Sequence, residues 1–193
     1  MKKLFLFALG MASLLCSCDS STVEEQENKM VATGFVGGLG NVTTTVSYYD
    51  FKEEDPGCKI SGFSDAEGFG RWTREETCNI LFDNITPNSD LTAKIVVTMS
   101  IPGGDDPTQY EAYVGNTKVG YGETWPGVVF VNIPSGVVGD NDKLELTIKI
   151  LNPKRPIDVN PNKYDSRLLG MGISSITLSG ISFEEAEMED EED

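Results

Sequence analysis

Histidine is missing altogether: none of the 193 residues is one. That removes the commonest general base, the usual third zinc ligand and the Ser-His-Asp and Cys-His triads together. Chemistry run by carboxylates alone stays open. Basic residues are scarce, 15 against 31 acidic ones, and the formal net charge is −16. Phosphate contacts need a basic face, so nucleic acid is excluded as a partner. Long apolar runs are also missing. The run from Leu4 to Leu15 is about a dozen residues, where a spanning helix needs roughly 20. Cysteine is sparse, and two of the four cysteines fall within the first 18 residues.

What is present begins with Met1-Lys2-Lys3 ahead of that short apolar run. Positive residues, a short apolar stretch and small residues at its end read as a secretion signal over residues 1–17. Leu15-Cys16-Ser17-Cys18 resembles the bacterial lipobox, in which a leucine lies three residues before a cysteine that becomes diacylated. The resemblance implies that Cys18 carries the lipid and is the N-terminus of the exported chain. Cys16 fits less well, because Leu15 would then stand at the cut, where a small side chain is wanted. The alternative is an ordinary secreted chain with two thiols in its signal. A single acyl chain holds a membrane only marginally, at about 0.8 kcal/mol per buried CH₂, so a lasting anchor takes two or three.

Residues 18–30 are polar and acidic and read as a flexible tether. An acidic stretch after the lipidated cysteine resembles a surface-export signal, whereas an aspartate directly after it, here Asp19, resembles an inner-membrane retention signal. The expected location is the bacterial cell envelope, with the outer membrane or cell surface favoured. Residues 184–193 hold eight acids, and such a block repels itself into an unfolded tail. Between tether and tail, residues 31–183 suit one domain with a real core.

That domain is rich in Gly, Thr, Val and Ile, with strand-like runs between turn signals at 42–50, 58–63, 77–82, 91–99, 110–114, 128–133, 144–151 and 173–183. The clearest alternation puts Leu144, Leu146, Ile148 and Ile150 on one face. Gly115-Asn116 between Val114 and Thr117 reads as a two-residue hairpin. No segment carries a sustained 3.6-residue period. The pattern predicts an all-β fold, a β-sandwich or jelly roll of galactose-binding-like shape. Cys58 and Cys78, left over in an oxidising compartment, predict a disulfide contributing roughly 3 kcal/mol in the chain-entropy model. Two buried free thiols are the alternative.

Two segments stand out. Gly62-Phe-Ser-Asp-Ala-Glu-Gly-Phe-Gly-Arg-Trp-Thr73 crowds aromatics, acids, an arginine and three glycines into a dozen residues. Tyr164-Asp-Ser-Arg-Leu-Leu-Gly-Met-Gly-Ile173 leads into the last strand. Together they resemble a β-sandwich accessory domain of bacterial membrane glycosyltransferases and phosphoglycerol transferases. The shared positions are Gly62, Ser64, Glu67, Gly70, Trp72 and Thr73, then Asp165, Arg167, Leu168 or Leu169, and Gly170, with Ile133-Pro134 between. The sequence departs at Phe63, where that family tends to have tryptophan. The resemblance implies a fold more than a function.

The polar cluster has two readings. As a saccharide site, Glu67, Arg71, Trp72, Asp165 and Arg167 supply an aromatic platform with planar polar side chains, and Trp125, beside Pro126, is a further exposed aromatic. As a structural device, Asp165 and Arg167 tie the last loop to the Glu67–Trp72 loop through an ion pair. Trp72 is equally a core residue. The acidic loops Asp105-Asp106 and Gly139-Asp140-Asn141-Asp142 invite a structural calcium, although turn chemistry explains both, and no other cofactor is implied. The expected function is a non-catalytic, lipid-anchored envelope protein that binds a glycan or envelope polymer. The alternative is an assembly protein that binds another envelope protein, and a glycosidase using Glu67 and Asp165 ranks last. Metabolic labelling with palmitate tests the anchor: label is expected on the native chain and absent from Cys18→Ser. Label that persists in that variant contradicts the assignment.

Overall fold

A computed structural model describes residues 21–26, 28–36, 40–100 and 106–184. The signal, Cys18 and residues 185–193 of the acidic tail lie outside the described residues. The fold is an all-β sandwich of two antiparallel sheets. One sheet runs β1 (Ser21–Gln26), β2 (Lys29–Val36), β3 (Gly40–Asp50), β12 (Gly172–Glu184), β7 (Asp90–Met99) and β10 (Gly127–Ile133), with the two-residue β5 (Arg71–Trp72) also on β12. The other runs β4 (Lys59–Ser61), β6 (Thr77–Asp83), β11 (Lys143–Ile150), β8 (Thr108–Val114) and β9 (Thr117–Thr124). Two single-turn helices, α1 (Ser135–Val138) and α2 (Pro156–Val159), sit in loops.

Period-two alternation builds the core. Leu144, Leu146, Ile148 and Ile150 all point inward from β11. Leu91, Ala93, Ile95 and Val97 do the same from β7, and they meet Ile173, Ile176 and Leu178 of β12. Each of the eight strand-like runs becomes a strand. The Gly115-Asn116 hairpin also forms: Val114 pairs with Thr117, and Gly115 takes φ 56.

Four strands were not foreseen: β1, β2, the two-residue β5 and β9. Residues 18–30 were expected to be a flexible tether, yet β1 and the start of β2 occupy Ser21 onward. Their ladder continues onto β3 from Lys29↔Ser47 to Val36↔Gly40. Composition misses this because the ladder is made by main-chain groups, whatever the side chains. β9 was hidden by Gly120 and Gly122. Those glycines leave room for Val131 and the Tyr110 ring, which would stand 3.4 Å from any added Cβ.

The expected disulfide is not formed: Cys58 and Cys78 are free thiols. Antiparallel register explains why. β4 pairs with β6 as Lys59↔Leu81 through Ser61↔Asn79, so Cys78 lies opposite Gly62 and four positions from Cys58 along the ladder. That is roughly 13 Å at the usual rise, where a disulfide needs Cα atoms within about 7 Å. The Cys78 thiol instead donates to the Gly62 carbonyl at 3.0 Å. Burial pushes both thiols up to about 12, so neither is a thiolate at neutral pH. Unfolded in guanidinium without reductant, the chain freed of residues 1–18 is expected to take up two iodoacetamide groups, on Cys58 and Cys78. A chain that takes up none holds the bridge after all.

Candidate functional site

Register gathers all six candidate ligand-binding residues at one end of the sandwich. Gly172, which opens β12, pairs with Trp72 of β5 and with Met99, the last residue of β7. β10 begins at Gly127 opposite Val97, and β11 ends at Ile150 opposite Tyr110, near the start of β8. Loops 62–76, 125–126 and 151–171 therefore converge there. They carry Glu67, Arg71 and Trp72, then Trp125, then Asp165 and Arg167.

Loop 62–76 is held by its own backbone. Glu67 and Gly70 exchange main-chain hydrogen bonds at 2.8 and 2.9 Å, closing a tight turn over Gly68-Phe69. Gly70 takes φ 138, and a Cβ there would sit 2.0 Å from the Ile173 carbonyl oxygen, so only glycine lets β5 lie against β12. Ser64 accepts from the Trp72 amide at 2.9 Å through its hydroxyl. The hydroxyl of fully buried Thr73 accepts from the Met171 amide at 2.9 Å, joining the first conspicuous segment to the second.

Arg71 is no ligand-binding residue in this arrangement. It is 7% exposed, and its guanidinium donates to the carbonyls of Ser64 at 3.0 Å and of Glu53 and Glu54 at 2.9 Å each. Its Nε has no partner among the described residues. The expected place in a saccharide site gives way to three main-chain oxygens, because β5 carries Arg71 into the space between loops. Arg71 is thus a buried brace.

Glu67, Asp165 and Arg167 do meet, as a tie between loops. The Arg167 guanidinium donates from Nε to both Asp165 oxygens, at 3.0 and 3.1 Å, and from its second amino group to Oδ2 at 2.7 Å. Its remaining arm reaches Glu67 at 3.1 Å. The Arg167 side chain holds the Asp165 carboxyl below the usual aspartate range, and these carboxylates in turn raise Arg167.

Trp72 is 8% exposed and packs edge-on against Phe69 with ring centroids 5.4 Å apart. It also lines a cavity of about 390 Å³ with Pro156, Val159, Asn160, Lys163, Asp165 and Leu169. Proline at the first position of α2 pre-sets its turn. The Asn160 side chain then accepts from the Asn162 amide at 3.0 Å, bending the chain between α2 and Lys163. Sequence reading had named Trp72 and Asp165 as ligand-binding and Leu169 only as a shared position of the second segment, and none of the other lining residues. The one available signal was the turn-forming Asn160-Pro161-Asn162 just ahead of the second segment.

Trp125 stays apart from this cavity. It is 51% exposed, and continuing the β7–β10 register places it opposite Met99. The calcium loops are otherwise engaged. Asp105 lies outside the described residues, Asp106 pairs with Lys154 at 3.1 Å, and Asp140 accepts from Asn88 at 2.7 Å. Among the described residues no three metal-ligating side chains cluster, and no helix is long and apolar enough to cross a membrane.

Fold and site define a β-sandwich with a ligand-sized pocket among the loops at one end. No protein-family model and no curated protein matches the chain. Among solved structures it is similar to a family 35 carbohydrate-binding module from Clostridium thermocellum, at 8% identity and TM-score 0.41, covering 69% of this chain and 96% of that one. It is also similar to the C-terminal family 6 module of the laminarinase LamC from Zobellia galactanivorans, at 11% identity and TM-score 0.39, covering 69% and 98%.

The two arginines differ in a measurable way. Arg71→Met leaves the carbonyls of Ser64, Glu53 and Glu54 without their guanidinium donor, the first of them buried, and is expected to cost about 2 kcal/mol or more in urea unfolding. Arg167→Met breaks ion pairs that are a third exposed and should cost below about 1 kcal/mol. The Arg167 effect depends on pH in a defined direction. Asp165 titrates lower in the folded chain than in the unfolded one, so the contribution is present above the unfolded value, about 3.9. It is lost as pH falls from there through the folded value. Equal costs for the two variants, or an Arg167→Met effect that grows in acid, contradict this assignment.

Proposed function

We propose that this chain is a lipid-anchored, non-catalytic glycan-binding protein of the bacterial cell envelope. The observation that carries the reading is the pocket itself. Its volume lies in the range of about 300–1,000 Å³ typical of small-ligand sites. An indole, a proline and two aliphatic side chains wall it, and Asn160, Lys163 and Asp165 complete its lining. A sugar ring has apolar C–H faces and polar edges, and this pairing of surfaces suits one.

Catalysis fits poorly. A glycosidase needs one carboxylic acid whose pKa is raised so that it holds a proton. The acid in the pocket, Asp165, is shifted the other way by Arg167.

The route of the chain supports presentation from a membrane. Ser21 pairs with Gly34, and Gly34 pairs with Val42 near the start of β3, so β1 begins at the end opposite the pocket. A lipid on Cys18 would hold that end at the bilayer and leave the pocket facing outward, roughly 35 Å away at strand rise.

A second reading, docking to another envelope protein, draws on β10. It is a sheet edge whose outward Val128 and Phe130 are 47% and 62% exposed.

Val159→Trp fills the cavity from an exposed position and is expected to weaken glycan-array binding at least about tenfold, a loss of about 1.4 kcal/mol. Phe130→Lys should leave that binding unchanged. Binding that survives Val159→Trp but fails in Phe130→Lys contradicts the pocket reading and favours β10.

A further inference from the structure

We propose that the free edge of β10 is a pairing site for a second copy of this chain: two β10 strands meet antiparallel about a twofold axis at Phe130 and join the two larger sheets into one. This inference stands apart from the glycan reading. An edge strand offers unpaired main-chain groups to any passing strand, and folded proteins blunt such edges with charge, short length or bulges. Three of the four sheet edges here are blunted. β1 carries Glu24 and Glu25, and β4 is three residues long and carries Lys59. β9 carries Lys118 and Glu123 and meets β8 with a register shift. β10 has none of these devices: it is seven residues long, without charge or proline, and its register on β7 is unbroken.

The free groups of this edge can be placed. Ser174 and Ser179 of β12 donate through their hydroxyls to the carbonyls of Val96 and Thr92, at 3.4 Å each, so the main chain at these β7 positions faces β12. Antiparallel strands turn the main-chain groups of alternate residues to opposite neighbours. Ala93 and Ile95 therefore face β10, and their partners Val131 and Val129 face back. The amides and carbonyls of Val128, Phe130 and Asn132 point away from the sheet, and among the described residues they have no main-chain partner.

A second copy suits this edge on two counts. Centred on Phe130, the strand is its own complement: Phe130 meets Phe130, Val129 meets Val131, and Val128 meets Asn132. The three outward residues of each strand then exchange about six main-chain hydrogen bonds, and aromatic and β-branched pairs pack across the seam. Charge is the second count. The chain carries −16, so much of its surface repels another copy. No acid lies on β10 or among Val96, Lys94 and Thr92, the β7 residues beside it on the outer face. A twofold pair uses up both edges and closes. Its strands run in opposite directions, so the two loop ends lie at opposite ends of the pair. With the anchor proposed above, such a pair links chains rooted in two facing bilayers.

Sedimentation velocity of the chain freed of residues 1–18, from about 1 to about 500 µM, tests the proposal. The contact is small, and a dissociation constant on the order of 10–100 µM is expected. Phe130→Lys sets two ammonium groups opposite each other and is expected to weaken pairing at least about tenfold. Oxidation reads the register. Residues facing each other at the axis have Cα atoms about 5.5 Å apart, within disulfide reach, so Phe130→Cys is expected to give a covalent dimer. Val128→Cys stands roughly 13 Å from its twin along the ladder and is expected to give none. A native chain that stays monomeric throughout overturns the proposal and leaves the edge to a different partner. Pairing that persists in Phe130→Lys, or crosslinking as ready from Val128→Cys as from Phe130→Cys, also overturns it.

Discussion

The functional end of this molecule hangs on the pairing of one strand with two others at a single residue. Gly172 opens β12 and pairs with Trp72 on one side and Met99 on the other. A Cβ at Gly172 would stand 2.8 Å from the Phe69 ring and 2.9 Å from Met99. The absence of that atom lets loop 62–76 close against the end of the sandwich. Thr73 then binds Gly170 and Met171 through its main chain and hydroxyl, and the indole beside it becomes a wall for the pocket. The site is therefore a consequence of register: two residues of β5, pinned to β12, bring together segments almost a hundred positions apart in sequence.

The charged residues of the two segments divide into support and display. Arg71 is consumed by main-chain carbonyls, and Arg167 is consumed by carboxylates. Both fix loop geometry, which is what a preformed pocket needs from its surroundings. Lys163 is the one cation among the residues that line the cavity. The same polarity runs through the whole sandwich: the start of β1 and the end of β12 leave from one end, and the pocket opens at the other.

Much of the fold was legible in the sequence because period-two alternation is a direct record of burial. Leu144 to Ile150 could be assigned face by face. β1, β2 and β9 were not legible, because acidic and glycine-rich strands are held by main-chain ladders that leave little mark on side-chain composition. The Asp165–Arg167 link to Glu67 was readable as a structural tie, and that is how it is built. The disulfide was misread, since two cysteines and a compartment say nothing about register, and register sets them four residues apart. Of the pocket, only Trp72 and Asp165 could be named as ligand-binding. Pro156, Val159, Asn160, Lys163 and Leu169 converge through a single helical turn and a side-chain-to-backbone bend, neither of which has a period to detect.

The account rests on a ligand entering the loop end rather than lying on either sheet face. Hydrogen–deuterium exchange of the protein, with and without a sugar that it binds on a glycan array, tests this most directly. Slower exchange confined to 156–169 and the amides around Trp72 is the predicted result. Slower exchange across β6, β11 and β8 instead, or no change at the loop end, would contradict it.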